Sequence, residues 1–470
     1  MAVRSRGARS LALGAALGLG LLTGCGGGRQ RLLLVTTDDL QGKTSPCGCH
    51  TPKGGLARLA AFLDSLRASG RDVLALDAGG FFPVTDDERD AGPFVLDAMS
   101  RMGTRAAGVG PGELRFGYTY VREAARAAGL PLLCANLERT ADTGGGPAFE
   151  RWRLLRAGAT AVGVFGLMPE GTDLGPARDS LVASSPEAAA RTAVDSLRAA
   201  GAEVIVLLSQ LGRAPGESLA THVPGIDVVV GGGGVPALAD GFGVGGAIAI
   251  YGGMQGWQVG LAEVPAVPRG RARRILAHTV VLGPWVKGDP PMAARVKAFE
   301  DSLNAALRAR EAAYGPRSRQ GLPAAHYVGM ANCTKCHAGE YTQWLTTSHS
   351  RAWSTLVTQR KEATPACVPC HVTGLGRPGG FRTADDAARF GNVQCEACHG
   401  MGTNHRAWEE RPEPVSEATC RGCHTGTTSP TFRFALYRAH VLHNPPPGLR
   451  PLPPSPAQQL MKAGGAPHGR

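Results

Sequence analysis

The sequence predicts two unlike parts, an α/β layered domain followed by a mainly helical or irregular domain. Strand-like and helical stretches alternate as far as residue 288, which is typical of an α/β fold. Eight of the twelve cysteines lie beyond residue 330, where regular patterning is weak. With 470 residues and 43% apolar content, the chain can bury more than one core.

The front part is predicted over residues 31–288. Its strand-like runs are rich in Val, Ile and Leu and read RLLLVTT, DVLALDAGG, AVGVFGL, EVIVLLSQLG, IDVVVGG and GAIAIYGG. Helical stretches rich in Ala, Leu and Arg lie between them, for example GGLARLAAFLDSLRASG and PEAAARTAVDSLRAAG. Buried strands that alternate with helices favour a layered α/β domain.

A helical linker is predicted over residues 289–325. Residues 290–313 have helical spacing, and the stretch GPRSRQGLP then breaks the chain. The cysteine-rich domain is predicted over residues 326–445. Residues 446–470 contain PPGLRPLPPSPAQQ and are predicted to be a disordered tail.

The first residues predict export. Three arginines precede an apolar run over 11–22 that is too short to cross a bilayer, so residues 1–24 are interpreted as a signal peptide. Leu22-Thr23-Gly24-Cys25 resembles the bacterial lipobox, which implies lipidation of Cys25 and a flexible tether over 25–30. We therefore expect a bacterial lipoprotein, periplasmic or associated with the outer membrane.

The net charge of +12 does not indicate a nucleic-acid partner. Its arginines are spread along the chain without a dense basic run, and an exported protein rarely meets nucleic acid. The charge is better suited to docking acidic partners.

Four Cys-x-x-Cys-His motifs carry the strongest functional signal. In c-type attachment the two thiols bond to the haem and the following histidine binds its iron. Zinc also binds cysteine pairs, but zinc does not explain a histidine after every pair when only 13 of 470 residues are histidine. Four covalent haems are therefore predicted, with these attachment cysteines: Cys333, Cys336, Cys367, Cys370, Cys395, Cys398, Cys420 and Cys423.

The four histidines that complete the motifs are the predicted proximal iron ligands: His337, His371, His399 and His424. Five further histidines of this domain are candidates for the opposite, distal positions: His326, His349, His405, His440 and His443. Two histidines on one iron favour electron transfer, whereas a vacant position permits small-molecule chemistry. The sequence does not assign each histidine to an iron.

The cysteine-rich domain resembles a known family over about 326–445. CTKCHAGEYTQWLTTSHSRAWSTL, CVPCHVTGLGRPGGF and VQCEACHGMGTNH are similar to the tetrahaem cytochromes of ammonia oxidisers that accept electrons from hydroxylamine oxidoreductase. The resemblance implies stacked haem pairs, mostly two histidines per iron, and His349 as a distal ligand. It also implies redox partner proteins of the cell envelope.

The front domain resembles the metallophosphoesterase domain of periplasmic 5′-nucleotidases, an αββα sandwich that holds two divalent metals between its sheets. Asp39 remains where that family has its first Asp ligand. Residues unsuited to divalent metals stand at the other family positions: Gln41, Gly80, Pro111, Gly112, Gln210, Gly233 and Val235. A divalent metal in this domain is therefore not expected.

Cys47-Gly48-Cys49-His50 follows the Asp39 loop. The surrounding PCGC stretch resembles a subgroup of exported nucleotidase-like proteins, some with selenocysteine in this motif, which favours redox-active thiols at Cys47 and Cys49. Three alternatives stay open: a metal site with His50 and Cys134, an unusual haem site, or an inert structural role.

These predictions favour an electron-transfer lipoprotein with a degenerate front domain. One alternative is an oxidoreductase that reduces a small oxyanion, or a sulfur or nitrogen compound, at an open haem or at Cys47 and Cys49. Another is a phosphoesterase with an atypical metal site.

Overall fold

The computed structural model describes most of the chain between residues 32 and 443. The described ranges are 32–47, 51–265, 267, 273–313, 321–404, 415–426, 428–429 and 431–443. Several sequence predictions lie outside these ranges: the signal peptide 1–24, the tether 25–30 with Cys25, the tail 446–470, Cys49, His50 and His405. Each helix within the described ranges is too short or too polar to span a bilayer.

The described residues of the front domain form fourteen strands. In chain order they are β1 Leu32–Thr37, β2 Asp72–Asp77, β3 Thr104–Gly108, β4 Leu132–Leu133, β5 Leu137–Arg139, β6 Trp152–Ala157, β7 Thr160–Leu167, β8 Leu181–Ala183, β9 Val204–Ser209, β10 Val228–Gly231, β11 Phe242–Val244, β12 Ala247–Ile250, β13 Gln258–Val264 and β14 Leu276–Val281.

Twelve of these strands form two six-stranded sheets. The first has the order β14-β13-β1-β2-β3-β4 and the second β11-β12-β10-β9-β7-β6, while β5 and β8 form a small separate pair. The inner strands are parallel, as in β1 with β2 and β9 with β10, and each sheet has antiparallel pairing towards its edge.

The two sheets pack face to face and are covered by helices. One apolar cluster lies between the sheets and contains Leu32 and Leu34 of β1. Leu33 and Val35 of the same strand point the other way, into the cluster under the helices. Burial on both faces explains the continuous apolar runs in the sequence. The predicted αββα sandwich is thus confirmed.

In the described part of the chain up to residue 313, these strands are accompanied by the α-helices α1 Leu56–Ala68, α2 Ala91–Arg101, α3 Pro111–Leu114, α4 Tyr118–Ala128, α5 Pro186–Ala199, α6 Arg213–His222 and α7 Pro290–Ala313. The bounds of α1 and α5 follow the amphipathic stretches named above. α7 covers the residues for which helical spacing predicts a linker helix.

α7 contacts the front domain through its first half. Met292 and Val296 belong to the apolar cluster that contains α1, and Phe299 stacks on Phe94 of α2 with ring centres 4.2 Å apart. The Glu300 carboxylate accepts a hydrogen bond of 2.6 Å from the Thr44 hydroxyl. This half of the helix is therefore part of the sandwich.

The second half of α7 contacts the cysteine-rich domain. Asp301 pairs with Arg360 at 3.1 Å, Arg308 pairs with Glu362 at 3.6 Å, and the Asn304 side chain accepts the Ala363 N–H at 3.2 Å. These polar contacts join the two domains through one helix.

The cysteine-rich domain consists of short helices joined by turns. They are α8 Met330–Cys333, α9 Ala338–Leu345, α10 Ala352–Gln359, α11 Ala387–Phe390, α12 Cys395–His399, α13 Glu417–Arg421 and α14 Phe434–Ala439. The structure gives this domain a cluster of five buried apolar residues: Leu356, Val368, Val372, Phe381 and Phe390. So small an apolar cluster is typical of a domain in which a bound prosthetic group supplies much of the core.

Candidate haem-binding segments and the front-domain cleft

Each Cys-x-x-Cys-His motif begins in or beside a short helical turn. The backbone N–H of the motif histidine bonds back to the turn, from His337 to Cys333 at 3.0 Å and from His424 to Cys420 at 2.9 Å. One turn therefore brings both thiols and the imidazole of a motif together, as covalent haem attachment requires.

The four motifs lie in two pairs. The thiols of Cys333 and Cys395 are neighbours, since each shifts the pKa of the other, which places the first motif beside the third. The thiols of Cys370 and Cys423 influence each other in the same way, which places the second motif beside the fourth. The sequence order of the motifs does not reveal this pairing.

Two candidate distal histidines face motif histidines. The ring centres of His349 and His424 are 6.2 Å apart, and those of His399 and His443 are 5.9 Å apart. Burial lowers the pKa of His349 to about 4, so its imidazole is neutral at physiological pH, the form that binds metals.

Two motif histidines are held in place by a hydrogen bond at the ring nitrogen Nδ1. His371 Nδ1 lies 2.6 Å from the carbonyl oxygen of Ala352, and His424 Nδ1 lies 2.8 Å from the Ser429 hydroxyl. Such bonds fix the ring and leave Nε2 available, which is the usual arrangement of an iron-binding histidine. The residues present therefore fit c-type haem.

The other candidate distal histidines have different surroundings. His326 Nδ1 lies 2.8 Å from the carbonyl oxygen of Pro323, and His440 follows the last residue of α14. Among the described residues, two pairs of histidines have their rings close together, His349 with His424 and His399 with His443. His405 lies outside the described residues, so its role stays a prediction.

The cleft of the front domain lies where the carboxyl ends of several parallel strands meet. Asp39, after β1, accepts the Gly234 N–H at 2.7 Å, and Gln210, after β9, lies 3.5 Å from the other Asp39 oxygen. A Cβ at Gly80, after β2, would overlap Asp39 Oδ1. The structure thus brings together positions 39, 80 and 210.

The amide of Gln210 fills the centre of this cleft. Its Nε2 donates to the Ala78 carbonyl at 3.1 Å, and a Cβ at Gly110 would lie 2.6 Å from its Oε1. A Cβ at Gly232 would overlap its Nε2. Glycines beside it leave room for this neutral side chain, which bonds to the groups around it.

Burial raises the pKa of several carboxyl groups beside the cleft. The pKa of Asp77 is raised to about 8, although the Thr37 hydroxyl and the Gly79 N–H oppose the shift. The pKa of Glu113 is raised to about 7 by burial, and that of Asp38 is also raised. Protonated carboxyl groups are poor ligands for hard divalent cations.

Three further positions at which the 5′-nucleotidase family has metal ligands or a catalytic histidine lie in a helix or in the apolar core. Pro111 and Gly112 begin the short helix α3, and Val235 is buried in an apolar cluster under the second sheet. Within the described ranges, no three His, Cys, Asp or Glu side chains come together as a metal-binding group.

Cys47 lies at the base of the loop that carries the PCGC motif. Its backbone exchanges two hydrogen bonds with Lys53, at 3.0 and 2.9 Å, and Trp257 Nε1 donates to its sulfur at 2.8 Å. Burial raises the pKa of the Cys47 thiol, so this geometry holds it protonated rather than as a reactive thiolate. Redox activity of Cys47 and Cys49 stays a prediction.

Cys134 is fully buried in the apolar cluster beneath α1 and α2. Burial raises the pKa of its thiol to about 12. These surroundings suit a small apolar core residue better than a metal ligand.

Asp77, Glu113 and Glu396 are functional candidates that the sequence did not single out. Each is buried and accepts backbone N–H groups. A carboxylate directly after an apolar strand, as in LDAGG, was the available signal for Asp77. Glu396 stands between the two attachment cysteines of the third motif, where the motif pattern leaves the residue type free.

Comparison with known proteins identifies the cysteine-rich domain. Residues 332–400 match the family model of cytochrome c554 and c-prime. Cytochrome c-554 of Nitrosomonas europaea is 33% identical over 105 residues, which cover 19% of this chain and 45% of that protein. The chain thus spans less than half the length of this relative.

Solved structures identify the fold of the front domain. A 5′-nucleotidase precursor from Thermus thermophilus has a TM-score of 0.52 at 24% identity, covering 64% of this chain and 62% of that chain. The sulfate thiohydrolase SoxB of Thermus thermophilus also has a TM-score of 0.52, at 19% identity, covering 59% of this chain and 61% of that chain.

The chain therefore combines two kinds of domain: the front domain has the fold of 5′-nucleotidases, and the cysteine-rich domain contains a segment that matches the cytochrome c554 and c-prime family. More particularly, this segment is similar to cytochrome c-554 over 105 residues. Covalent haem is the cofactor of that family. The two resemblances inferred from the motifs are thus confirmed.

Proposed function

We propose that this protein is a tetrahaem electron-transfer lipoprotein of the bacterial cell envelope. The observation that carries this proposal is the pairing of four haem-attachment motifs, the first with the third and the second with the fourth. Haems attached to adjacent motifs lie close together, which suits passage of electrons between them. When bound, they supply reversible one-electron chemistry.

Two irons are proposed to be held by paired histidines. Two imidazoles on opposite sides of one iron have ring centres roughly 6 Å apart, since a nitrogen–metal bond is about 2 Å long. The separations of 6.2 Å for His349 with His424 and 5.9 Å for His399 with His443 support these pairs. We therefore assign His349 to the fourth motif and His443 to the third.

Replacing His349 by alanine is expected to convert one of the four haems to the high-spin form. His424 would remain as the single histidine on that iron, and weak-field or open coordination follows. Electron paramagnetic resonance and the visible spectrum of the ferric protein measure the change, and added cyanide or nitric oxide should bind the new site.

The matched control is His278→Ala, a histidine on β14 of the front domain, which should leave the spectrum unchanged. A wholly low-spin H349A protein would refute the assignment. A high-spin fraction already present in the wild-type protein that shifts with added ligands would favour the alternative function, reduction of a small molecule at an open iron.

The location and the partners follow from the sequence and the relatives. The lipobox-like stretch ending at Cys25 supports a lipid anchor, and covalent haem attachment suits an exported protein. Redox proteins of the cell envelope are the proposed partners.

The front domain is proposed to have lost two-metal phosphoesterase activity. Gln210 occupies the centre of the cleft, and burial raises the pKa of Asp77 and Glu113, which disfavours the ionised carboxylates that divalent cations require. Its remaining role is proposed to be a scaffold that carries the PCGC loop and α7.

Hydrolysis of nucleotide or aryl phosphates by the purified protein is expected to stay at background with added Mn²⁺ or Zn²⁺. Asp39→Ala should change nothing, because a single carboxylate cannot hold two cations. A nucleotidase that retains its metal ligands serves as positive control. Robust turnover that D39A abolishes would establish the phosphoesterase alternative instead.

A further inference from the structure

Glu396 connects the first and third haem-binding segments. Its carboxylate accepts three backbone N–H groups, from Val328 at 2.9 Å, Gly329 at 2.7 Å and Gly402 at 2.6 Å. Val328 and Gly329 directly precede α8, which ends at the first attachment cysteine, whereas Glu396 stands between the two cysteines of the third motif. One side chain thus ties two motifs together.

A neighbouring side chain strengthens this connection. Gln394 accepts the Met330 N–H at 3.1 Å and donates to the Gly391 carbonyl at 2.8 Å. Both Gln394 and Glu396 are less than 5% exposed. Replacing a buried acceptor of several N–H groups costs more than breaking a surface bond, because the donors are then left without partners.

The carboxylate also lies within electrostatic range of both haem sites. It contributes to the electrostatic surroundings of the Cys333 and Cys395 thiols. Its two oxygens accept three N–H groups, and its burial limits the screening of a charge by salt. A buried negative charge stabilises ferric over ferrous iron, because reduction adds a further negative charge nearby.

We propose that Glu396 is a positioning residue that locks the first haem-binding segment onto the third, and that its charge makes the two haems attached there harder to reduce. The proposal rests on the proposed function, since it requires haems at these two motifs. It adds an assignment of which two haems have their potentials lowered by a buried charge.

The test compares E396Q, which removes the charge, with E396D, which keeps it, in the full haem-loaded chain. Potentiometric titration followed by visible spectroscopy should show two of the four haems of E396Q shifted to more positive potential. E396D should titrate closer to the wild type. Asp385→Asn, at an exposed carboxylate of the same domain, is the matched control and should shift less.

An E396Q protein with four haems and a wild-type titration curve would overturn the proposal, as would an equal shift in E396D. If E396Q matures with fewer haems, hydrogen exchange of the wild-type protein is used to test whether Glu396 connects the two segments. The amides of Val328, Gly329 and Gly402 should then be strongly protected, and rapid exchange would contradict the connection. A wild-type chain without haem would instead refute the proposed function.

Discussion

Replacing both cysteines of the third motif, Cys395 and Cys398, by alanine is expected to remove one haem and to unfold much of the cysteine-rich domain. The domain has a cluster of only five buried apolar residues in its described part, so its haems must supply most of its core. The third motif also holds the first one in place, so the loss should reach beyond a single site.

The haem-to-protein ratio and the visible circular dichroism of the purified variant measure this outcome. Cys134→Ala is the control, since it removes a buried thiol from the front domain without touching a motif. That variant should keep four haems and lose about 1 kcal/mol of stability from a small cavity. A double variant that retains four haems would contradict the assignment of the third motif.

Raising the pH from about 4 to about 8 is expected to destabilise the front domain. The pKa of Asp77 is raised to about 8 and that of Glu113 to about 7 in the folded protein, whereas both groups ionise at ordinary values once unfolded. Their stabilising contribution is complete below pH about 4 and is lost as the pH rises through the folded pKa values. Between its unfolded and its folded pKa, each group should lower the free energy of unfolding by about 1.4 kcal/mol per pH unit.

Asp77→Asn isolates one of these groups. Its amide can take over the bonds with Thr37 and Gly79, at 2.5 and 2.8 Å, without ionising. The free energy of unfolding can be measured by denaturant titration followed by circular dichroism. The value for D77N should rise relative to that of the wild type by about 1.4 kcal/mol per pH unit from about pH 4.5 to about pH 7. Asp195→Asn, at an exposed position on α5, should run parallel to the wild type. A constant difference between D77N and the wild type would show that Asp77 is ionised in the folded state.

Much of the front-domain fold could be predicted from the sequence because its strands are buried on both faces. β1, β7 and β9 are buried along their whole length, so their apolar runs are unambiguous. The antiparallel edge strand β14 was missed as a separate strand, since its residues are only partly buried and lack an apolar run. Short pairs such as β5 with β8 depend on tertiary contacts.

The sequence suffices to predict the haem-attachment residues because their chemistry requires neighbours in sequence, and this assignment stays a prediction. The sequence alone does not assign the distal histidines, since His349 and His424 are brought together by folding across 75 residues of chain. Gly80 and Gln210 stand in the sequence where the resemblance to 5′-nucleotidases predicts metal ligands. That Gln210 fills the resulting space depends on the glycines around it, which only the folded chain brings together.

The packing of Asp39 against Gly80 closes position 80 to a larger side chain. An aspartate introduced at position 80 would collide with the carboxylate of Asp39, and Gly80 has a backbone φ of +72° that side chains rarely tolerate. A protein engineer who wishes to build a metal site here would therefore have to redesign the loops of Asp39 and Gly80 together, because a single substitution cannot supply the ligand.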